Sequence, residues 1–195
     1  MTSGDDERRK TIEAAAYAVL AEKGYRRTSM LSVAKAAKAS NQTLYRWYGT
    51  KQGLFTALIE RNADSVVADM PELNETITMH PMVAFGQHLL TMLTGDRAIA
   101  LNRAAAADAD ETGELGPALA KSGRERVFPV MMDLLRTHLP NTEVGLEHAE
   151  LFVALLVGDL QIRRATGAIP EVSRAMIYER ANRAWRLMQA FSAES

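Results

Sequence analysis

The chain has 195 residues, of which 47% are hydrophobic and 24% are charged, and it contains no cysteine. This composition excludes a wholly disordered chain, a disulfide framework and a cysteine zinc site. The net charge of −1 combines a basic segment, residues 1–55, which carries ten Lys and Arg against five Asp and Glu, with an acidic remainder that carries thirteen against nineteen. Unless the basic residues cluster there by chance, only the first segment suits a polyanionic partner.

Helical periodicity dominates the first third of the chain. Apolar residues recur at spacings of three and four, the period of one helix face. Ser, Thr or Gly stand where these helices begin or end, as helix caps do. The predicted helices cover residues 5–23, a short segment that begins near Thr28 or Ser29, residues 41–48 with Ser40 as N-cap, and residues 51–67 with Thr50 as N-cap.

The rest of the chain is also predicted to be helical. Pro71 and Pro81 interrupt the pattern, and Pro129 lies inside a long predicted helix, which we expect it to kink or split. Because strand-like alternation and Asn-Gly or Asp-Gly hairpin turns are absent from the sequence, we predict an all-α fold. The predicted elements are helices over residues 82–94, 117–138, 145–166 and 171–192, with an alanine-rich segment over 97–109 and a polar turn that contains Gly113 and Gly116.

Two short helices joined by a tight turn and braced by a longer first helix form a helix-turn-helix, whose second short helix enters the DNA major groove. The amides of Asn41 and Gln42 suit adenine N6 and N7, and the Arg46 guanidinium suits guanine O6 and N7. The Thr43 methyl suits a thymine methyl, whereas Leu44 interrupts the polar run and is expected to face inward. As a set, these residues favour DNA recognition.

Two helix starts are candidate phosphate sites, since free backbone N–H groups and hydroxyls meet there. Thr28 and Ser29 open one helix, while Thr50 and Lys51 open another and add a positive charge. Arg26 and Arg27 are candidates to follow the DNA backbone alongside these sites. The alternative is that these residues are ordinary helix caps and solvated charges.

A longer motif extends over the same region. It consists of Ile12, Ala15 and Leu20, then Gly24-Tyr25, Thr28-Ser29, Val33-Ala34-Lys35-Ala36-Ala37, Ser40, Thr43-Leu44-Tyr45, Trp47-Tyr48, Lys51 and Leu54-Phe55. In the order and spacing of these residues, the segment 10–55 resembles the DNA-binding domain of TetR-type (tetracycline-repressor-like) transcriptional regulators. The resemblance covers about a quarter of the chain.

This resemblance implies that the protein binds double-stranded operator DNA. It assigns phosphate contacts to Thr28, Trp47 and Lys51. It assigns base recognition to Gln42, Thr43 and Tyr45. Together with the candidates from residue chemistry, the predicted DNA-binding residues are Thr28, Ser40, Asn41, Gln42, Thr43, Tyr45, Arg46, Trp47 and Lys51.

Three positions depart from the pattern that the resemblance implies. Lys38 stands where the family usually has the turn glycine, so a positive φ there costs local strain unless a phosphate contact offsets it. Leu31 stands where a charged residue is common, which predicts fewer DNA contacts at that edge. Trp47 replaces a usual tyrosine, and its indole N–H can donate a hydrogen bond but cannot accept one.

The same resemblance implies that the rest of the chain is a helical domain for ligand binding and dimerisation. Residues 101–135 resemble the AefR-like branch of the family. We therefore predict a helix-turn-helix DNA-binding domain over residues 1–50, joined through the fourth helix and without a flexible linker to a helical bundle over residues 51–195. The expected ligand is a small apolar or amphipathic molecule.

A homodimer is predicted from the last two helices. Residues 151–157 are apolar on every side, so their helix needs its own domain on one face and another partner on a second face. Two such helices from each subunit form an intersubunit four-helix bundle, and a dimer spans two DNA half-sites. The alternative is a monomeric core. The predicted interface residues are Phe152, Leu155, Leu156, Ala181, Ala184, Trp185 and Met188.

The ten methionines are many for this length and suit an adaptable apolar pocket. The alternative is that they simply fill the core. His88 and His138 are candidates to orient a polar group of a ligand, although a partly exposed or core histidine is the plainer interpretation. The predicted pocket residues are Phe85, His88, Leu89, Met92, Phe128, Met131 and Met132.

No metal site, cofactor or enzyme active site is predicted. The acidic run from Asp108 to Glu114 lacks a histidine at ligand spacing and is interpreted as a solvated turn. The sequence contains no Gly-rich phosphate loop or nucleophile elbow. The polar start is unlike a secretory signal, and no apolar run reaches the roughly 18 residues of a membrane span. We therefore expect a soluble, cytoplasmic protein that does not enter a membrane.

These patterns predict a repressor that binds a palindromic operator as a dimer and is released by a small molecule. Such release requires that the ligand binds one of two conformational states more tightly than the other. An activator is one alternative, and a helical interaction module with weak or altered DNA binding, favoured by Lys38, is another. A nonspecific architectural DNA-binding protein fits less well, because such proteins are usually basic overall.

Overall fold

The computed structural model describes residues 3–68 and 79–193, in which no strand occurs. The predicted all-α fold is confirmed. A π-helical turn, Gly123–Val127, lies between α7 and α8. The α-helices are α1 (Ser3–Arg27), α2 (Met30–Ala36), α3 (Asn41–Tyr48), α4 (Lys51–Ala68), α5 (Pro81–Thr94), α6 (Asp96–Asp108), α7 (Leu115–Ser122), α8 (Phe128–His138), α9 (Leu146–Val157), α10 (Leu160–Ala165) and α11 (Arg174–Ala193).

The chain divides into two compact units. The first contains Met1–Arg61 and Ala100–Lys121, and the second contains Asn62–Ile99 and Ser122–Ser195. The first boundary falls inside α4. The prediction divided the chain once, after residue 50, and did not include the later return of Ala100–Lys121 to the first unit. The return has a physical cause, because Leu101, Ala104, Ala105 and Leu115 are buried in the hydrophobic core of that unit.

The first unit contains α1 to α3 and the first part of α4 around a core that includes Ile12, Leu44 and Phe55. The caps follow the sequence pattern. The Ser40 hydroxyl accepts a hydrogen bond from the N–H of Thr43 at 3.0 Å, and the Thr50 hydroxyl accepts one from the N–H of Gly53 at 3.0 Å. These side chains satisfy donors that have no partner inside their helices, which fixes where α3 and α4 begin.

Two residues of the first unit turn the chain through positive φ. Gly24, predicted to close the first helix, has a φ of 73° inside α1, where the helical conformation is interrupted. Lys38, between α2 and α3, has a φ of 51° and is the one non-glycine residue with positive φ among those described. The conditional prediction of strain at Lys38 therefore applies, since a side chain in this region crowds the backbone.

The second unit is built around α5, α8, α9 and α11, which pack together through one hydrophobic core.

The predicted long helix over 117–138 begins earlier, at Leu115, so that Gly116 lies inside α7. Pro129 is accommodated because the π-helical turn comes just before it, with the N–H of Phe128 donating to the carbonyl of Gly123. The widened turn removes the clash that proline makes in an ordinary helix.

The predicted single helix over 145–166 was wrong, because the chain breaks at Gly158. Gly158 has a φ of 51° and a ψ of −126°, and it separates α9 from α10. Within an apolar run, a glycine offers the flexibility to end a helix without any polar signal. Pro71 lies outside the described residues. No helix in the described parts of the chain is long and apolar enough to cross a membrane.

Candidate nucleic-acid interface

Helix α3 has one buried side and one exposed side. Leu44 and Tyr48 are buried in the core of the first unit, as predicted for Leu44. The hydroxyl of Tyr48 has no hydrogen-bond partner among the described residues, and burial raises the pKa of Tyr48 to about 12. The opposite side exposes four predicted DNA-binding residues, namely Asn41, Gln42, Tyr45 and Arg46. A helix anchored on one side and polar on the other has the form that major-groove recognition needs.

The N-terminus of α3 is stiffened by two hydroxyls. The hydroxyls of Ser40 and Thr43 form a hydrogen bond with each other at 2.8 Å. Thr43 is half-buried and Ser40 is exposed. Because the Thr43 hydroxyl is held by the helix cap, its methyl group is the part of the side chain suited to a thymine methyl.

Thr28 has a structural role in this arrangement. It is buried, its hydroxyl donates to the carbonyl of Gly24 at 2.8 Å, and its N–H donates to the carbonyl of Tyr25 at 3.0 Å. The helix cap of α2 is Ser29, whose hydroxyl accepts from the N–H of Ser32 at 3.2 Å. The phosphate contact predicted for Thr28 thus stays a prediction, and the exposed hydroxyl at this helix start belongs to Ser29.

Trp47 and Lys51 are both half-buried and both take part in cation–π contacts. The Arg9 guanidinium carbon lies 5.1 Å from the centroid of the Trp47 ring. The Lys51 ammonium lies 3.7 Å from the centroid of the Tyr25 ring. Burial lowers the pKa of Lys51, and the negative charges of Glu111 and Asp108 oppose that shift. A cation over an aromatic face is held in place without losing its charge.

A buried hydrogen bond that the sequence did not reveal joins Tyr25 to Asp108. The Tyr25 hydroxyl donates to Asp108 at 2.9 Å across 83 residues of sequence. Burial raises the pKa of Tyr25 well above its usual range, and the bond to Asp108 adds to that shift. Both residues were visible in the sequence, Tyr25 in the motif and Asp108 in the acidic run, but nothing local pairs them.

Asp108 anchors the turn between α6 and α7. It is fully buried and accepts hydrogen bonds from the Thr112 hydroxyl at 2.8 Å and from the N–H groups of Glu114 and Leu115 at 3.0 and 3.2 Å. Burial alone would raise the pKa of Asp108, but these bonds and the one from Tyr25 outweigh it, so that the pKa lies below its usual value. The predicted solvated turn is thus held by one buried carboxylate.

No group of three metal-binding side chains occurs in the described parts of the chain. The exposed acidic residues of the turn instead face a cation. The Arg26 side chain lies 3.9 Å from the carboxylate of Asp110 and 3.5 Å from that of Glu111. Arg26 was predicted to lie beside DNA, and in the structure it lies between two carboxylates.

The predicted pocket residues all belong to the second unit. Phe85, Leu89 and Met131 are buried in its core, while Met92, Phe128 and Met132 are half-buried and pack against that core. The Asn62 amide donates to the sulfur of Met92 at 3.0 Å. His88 has a buried Nε2 atom with no hydrogen-bond partner in the described structure. An unsatisfied buried nitrogen is costly unless a partner reaches it, and His88 is the member of this predicted set that carries one.

His138 lies in an aromatic cluster with His80 and Trp185. The ring centroids of His80 and His138 are 4.7 Å apart, and His80 stacks on Trp185 at 4.6 Å. Burial lowers the pKa of His80, and the charge of His138 lowers it further. His138 thus contacts aromatic rings, as a partly buried core histidine does.

Six of the seven side chains predicted for the dimer interface are covered within one chain, and their role in dimerisation stays a prediction. Phe152, Leu156, Ala181, Ala184, Trp185 and Met188 are buried in the core of the second unit, and Leu155 is half-buried. They lie on the sides of α9 and α11 that pack against α5 and against each other. The other sides of α9 and α11 are not covered in this way.

Those other sides carry large apolar groups. Met176, Leu187 and Phe191 are all more than two-fifths exposed on α11, and Ile162 is exposed on α10. Spacings of eleven and four residues return to the same side of a helix, so the three α11 residues share one flank. Leu151 and Leu155 are half-buried on α9, next to the exposed Ala154. Exposed apolar groups that share a flank are typical of a binding surface.

Comparisons with known proteins agree with this arrangement. The family model described as bacterial regulatory proteins of the tetR family matches residues 12–58. The model described as the AefR-like transcriptional repressor C-terminal domain matches residues 80–191, more than half of the chain. The first match covers α3 and its supporting helices, and the second covers most of the described second unit.

Individual relatives point the same way. The HTH-type transcriptional regulator HbdR of Aromatoleum sp. (strain CIB) is 31% identical over 77 residues, which cover 40% of this chain and only 33% of that protein. A TetR-family regulator structure from Mesorhizobium loti MAFF303099 has a TM-score of 0.78 at 24% identity, with 98% of each chain covered. The flavonoid-responsive regulator FrrA has a TM-score of 0.69 at 22% identity, with 95% of this chain and 96% of that one covered. The two structures show the shared fold.

Proposed function

We propose, on the premise that this chain belongs to the TetR family of bacterial transcriptional regulators, that it is a repressor which binds a palindromic operator as a homodimer and leaves it when a small molecule binds. Members of this family are DNA-binding regulators and not enzymes. We place its action in the cytoplasm, where a bacterial chromosome is accessible.

The observation that carries the proposal is the outer side of α3. It presents two amides, a guanidinium and a phenol in eight residues, while Leu44 and Tyr48 anchor the opposite side. Amides and guanidinium groups are the side chains that form paired hydrogen bonds with adenine and guanine in the major groove. One such helix covers only a few base pairs, so specific binding calls for a second copy and a palindromic site.

Dimerisation is supported by the apolar flank of α11 and the outer side of α9. Replacing Leu187, which is exposed, by Glu places a charge on this flank without disturbing the chain's own core. We expect Leu187→Glu to be a monomer at concentrations where the wild type is a dimer, as measured by light scattering coupled to size-exclusion chromatography. Leu146→Glu is the matched control, because nine residues of helix place residue 146 on the side of α9 opposite to Leu155. A dimeric Leu187→Glu protein would remove this surface from the proposal.

A ligand site in the second unit is supported by the unpartnered Nε2 atom of His88, which lies on α5 together with Phe85, Leu89 and Met92. FrrA is described as flavonoid-responsive, and a further neighbour from Bacillus halodurans, with a TM-score of 0.69 at 16% identity, is a fatty acid degradation regulator. We therefore propose an apolar or amphipathic ligand with one polar group that bonds to His88. Release of DNA would follow from tighter binding to the state that does not fit the operator.

Fluorescence anisotropy on a labelled DNA fragment from upstream of the protein's own gene tests the proposal. We expect tight binding by two protomers per site that survives an excess of random DNA. If that fragment fails, selection from a random DNA library finds the operator. Failure of the selection as well would favour a helical interaction module, the alternative that strain at Lys38 supports. Reporter expression with and without the gene separates a repressor from an activator.

A further inference from the structure

The turn between α6 and α7, residues 108–114, is called the acidic turn here. It carries four carboxylates, those of Asp108, Asp110, Glu111 and Glu114. Only Asp108 is buried and used to hold the turn together. The Asp110 side chain is 88% exposed, and that of Glu111 is 36% exposed. The two exposed carboxylates are therefore not required by the packing of the turn.

These carboxylates lie against cations of the DNA-binding unit. Arg26 is within 4 Å of both Asp110 and Glu111, and it is two residues before the Thr28-Ser29 helix start. Lys51, at the start of α4, lies over the ring of Tyr25, whose hydroxyl binds Asp108 in the same turn. The acidic turn thus places its two exposed carboxylates beside Arg26, and the charges of Glu111 and Asp108 also act on Lys51. Both cations are candidates for phosphate contacts.

The buried Tyr25–Asp108 hydrogen bond explains why the turn stays in this place. It ties the end of α1 to the end of α6, and Asp108 in turn binds the start of α7. A carboxylate on a free loop would move away when DNA approached. A carboxylate on an anchored loop remains beside the cation and has to be displaced.

We infer that Asp110 and Glu111 compete with DNA phosphates for Arg26 and Lys51, and thereby set the affinity and the salt dependence of DNA binding. This inference rests on the proposed DNA-binding function. DNA binding gains affinity from each phosphate that a cation neutralises, with a slope of about −0.9 in log K against log salt for each contact. A cation that must first leave a carboxylate contributes less to affinity, and a lost contact makes the slope shallower.

The test is the double variant Asp110→Asn/Glu111→Gln, assayed by anisotropy on the selected operator at several salt concentrations. We expect binding to tighten about two- to tenfold at 0.1 M salt, the range given by losing one or two exposed ion pairs. We expect the slope of log K against log salt to become steeper by about 0.9, the value for one additional phosphate contact. The matched control is Asp5→Asn/Glu22→Gln, which removes the same charges from exposed positions of the same unit.

Two further backgrounds, Arg26→Gln and Lys51→Gln, separate local competition from the general field of the protein. If the carboxylates act through these cations, the gain in DNA affinity from the double variant is smaller in both backgrounds than in the wild type. The effect of the control pair on affinity is then the same in the wild type and in both backgrounds. An equal gain in every background, a gain matched by the control pair, or weaker binding by the double variant would overturn the inference. A wild-type protein that binds no selected DNA would instead overturn the proposed function, and the inference with it.

Discussion

Helices α3 and α9 differ in how much their sequences say about their orientation. In α3 a polar run is interrupted by Leu44 and Tyr48, so only one side suits a core, and that side is the buried one. In α9 every residue from 151 to 157 is apolar, and both sides of that part suit burial. The sequence predicted correctly that α3 faces inward through Leu44. For α9 and α11 the sequence-based prediction placed the dimer interface on the side that is buried in the chain's own core.

The largest expected effect tests the inward side of α9. Phe152 is fully buried in the core of the second unit. Phe152→Ala should lower the free energy of unfolding by about 3–5 kcal/mol, because it removes buried apolar surface and leaves a cavity. Urea unfolding measures this loss, which should not depend on protein concentration.

Phe191→Ala is the matched control for that change, since Phe191 is about half exposed on α11. Its loss of unfolding free energy should be smaller than that of Phe152→Ala. It should grow as the protein concentration rises above the dimer dissociation constant and fade on dilution below it, because it acts through the second copy. Equal, concentration-independent losses for the two variants would show that the two sides of the bundle are not different in the proposed way.

The orientation of α3 is tested by two leucines of the helix-turn-helix. Leu44 is fully buried, whereas Leu31 on α2 is 65% exposed. Leu44→Ala should lower the free energy of unfolding by about 2–5 kcal/mol, and Leu31→Ala should change it by less than about 0.5 kcal/mol. Thermal and urea unfolding of the two variants compare them directly. Similar losses at both positions would contradict the one-sided burial of α3.

The anchor of the acidic turn is tested by Tyr25→Phe, which keeps the ring against Phe55 at 5.1 Å and removes only the hydroxyl. At neutral pH the loss should be about 1–3 kcal/mol, the cost of taking a donor from a buried carboxylate. Because the pKa of Asp108 is lowered in the folded state, its stabilisation is present above the usual Asp pKa and is lost as pH falls through the folded value.

The difference between Tyr25→Phe and the wild type should therefore be constant above about pH 5 and shrink below about pH 4. Urea unfolding from pH 3 to pH 8 measures it. A difference that is the same at every pH would mean that the Tyr25 hydroxyl does not act through the Asp108 carboxylate.

The smallest expected effect is a gain in stability. Lys38→Gly relieves a side chain at positive φ and should raise the free energy of unfolding by up to about 1 kcal/mol. Lys35→Gly makes the same substitution inside α2, where glycine should lower it by about 1 kcal/mol. Changes of opposite sign in the free energy of unfolding, measured with urea, would confirm that the turn is strained. A lower free energy of unfolding for both variants would show that Lys38 is not strained.

The sequence predicts most of what local chemistry determines. The caps at Ser40 and Thr50, the buried Leu44 and the exposed polar side of α3 all follow from periodicity and side-chain type. Two features depend on distant parts of the chain and were missed. The break at Gly158 lies in an apolar run without a polar stop signal, and the Tyr25–Asp108 bond joins residues 83 positions apart.

The most direct test of sequence-specific recognition by α3 compares two arginine variants. Arg46→Gln and Arg8→Gln each remove one positive charge from an exposed position of the first unit, on α3 and on α1. We would measure, at fixed salt, the ratio of affinities for the selected operator and for random DNA. The account predicts that Arg46→Gln lowers this ratio by about 5- to 150-fold, the equivalent of about 1–3 kcal/mol for one paired base contact. It predicts that Arg8→Gln leaves the ratio unchanged, and an equal ratio for both variants would contradict it.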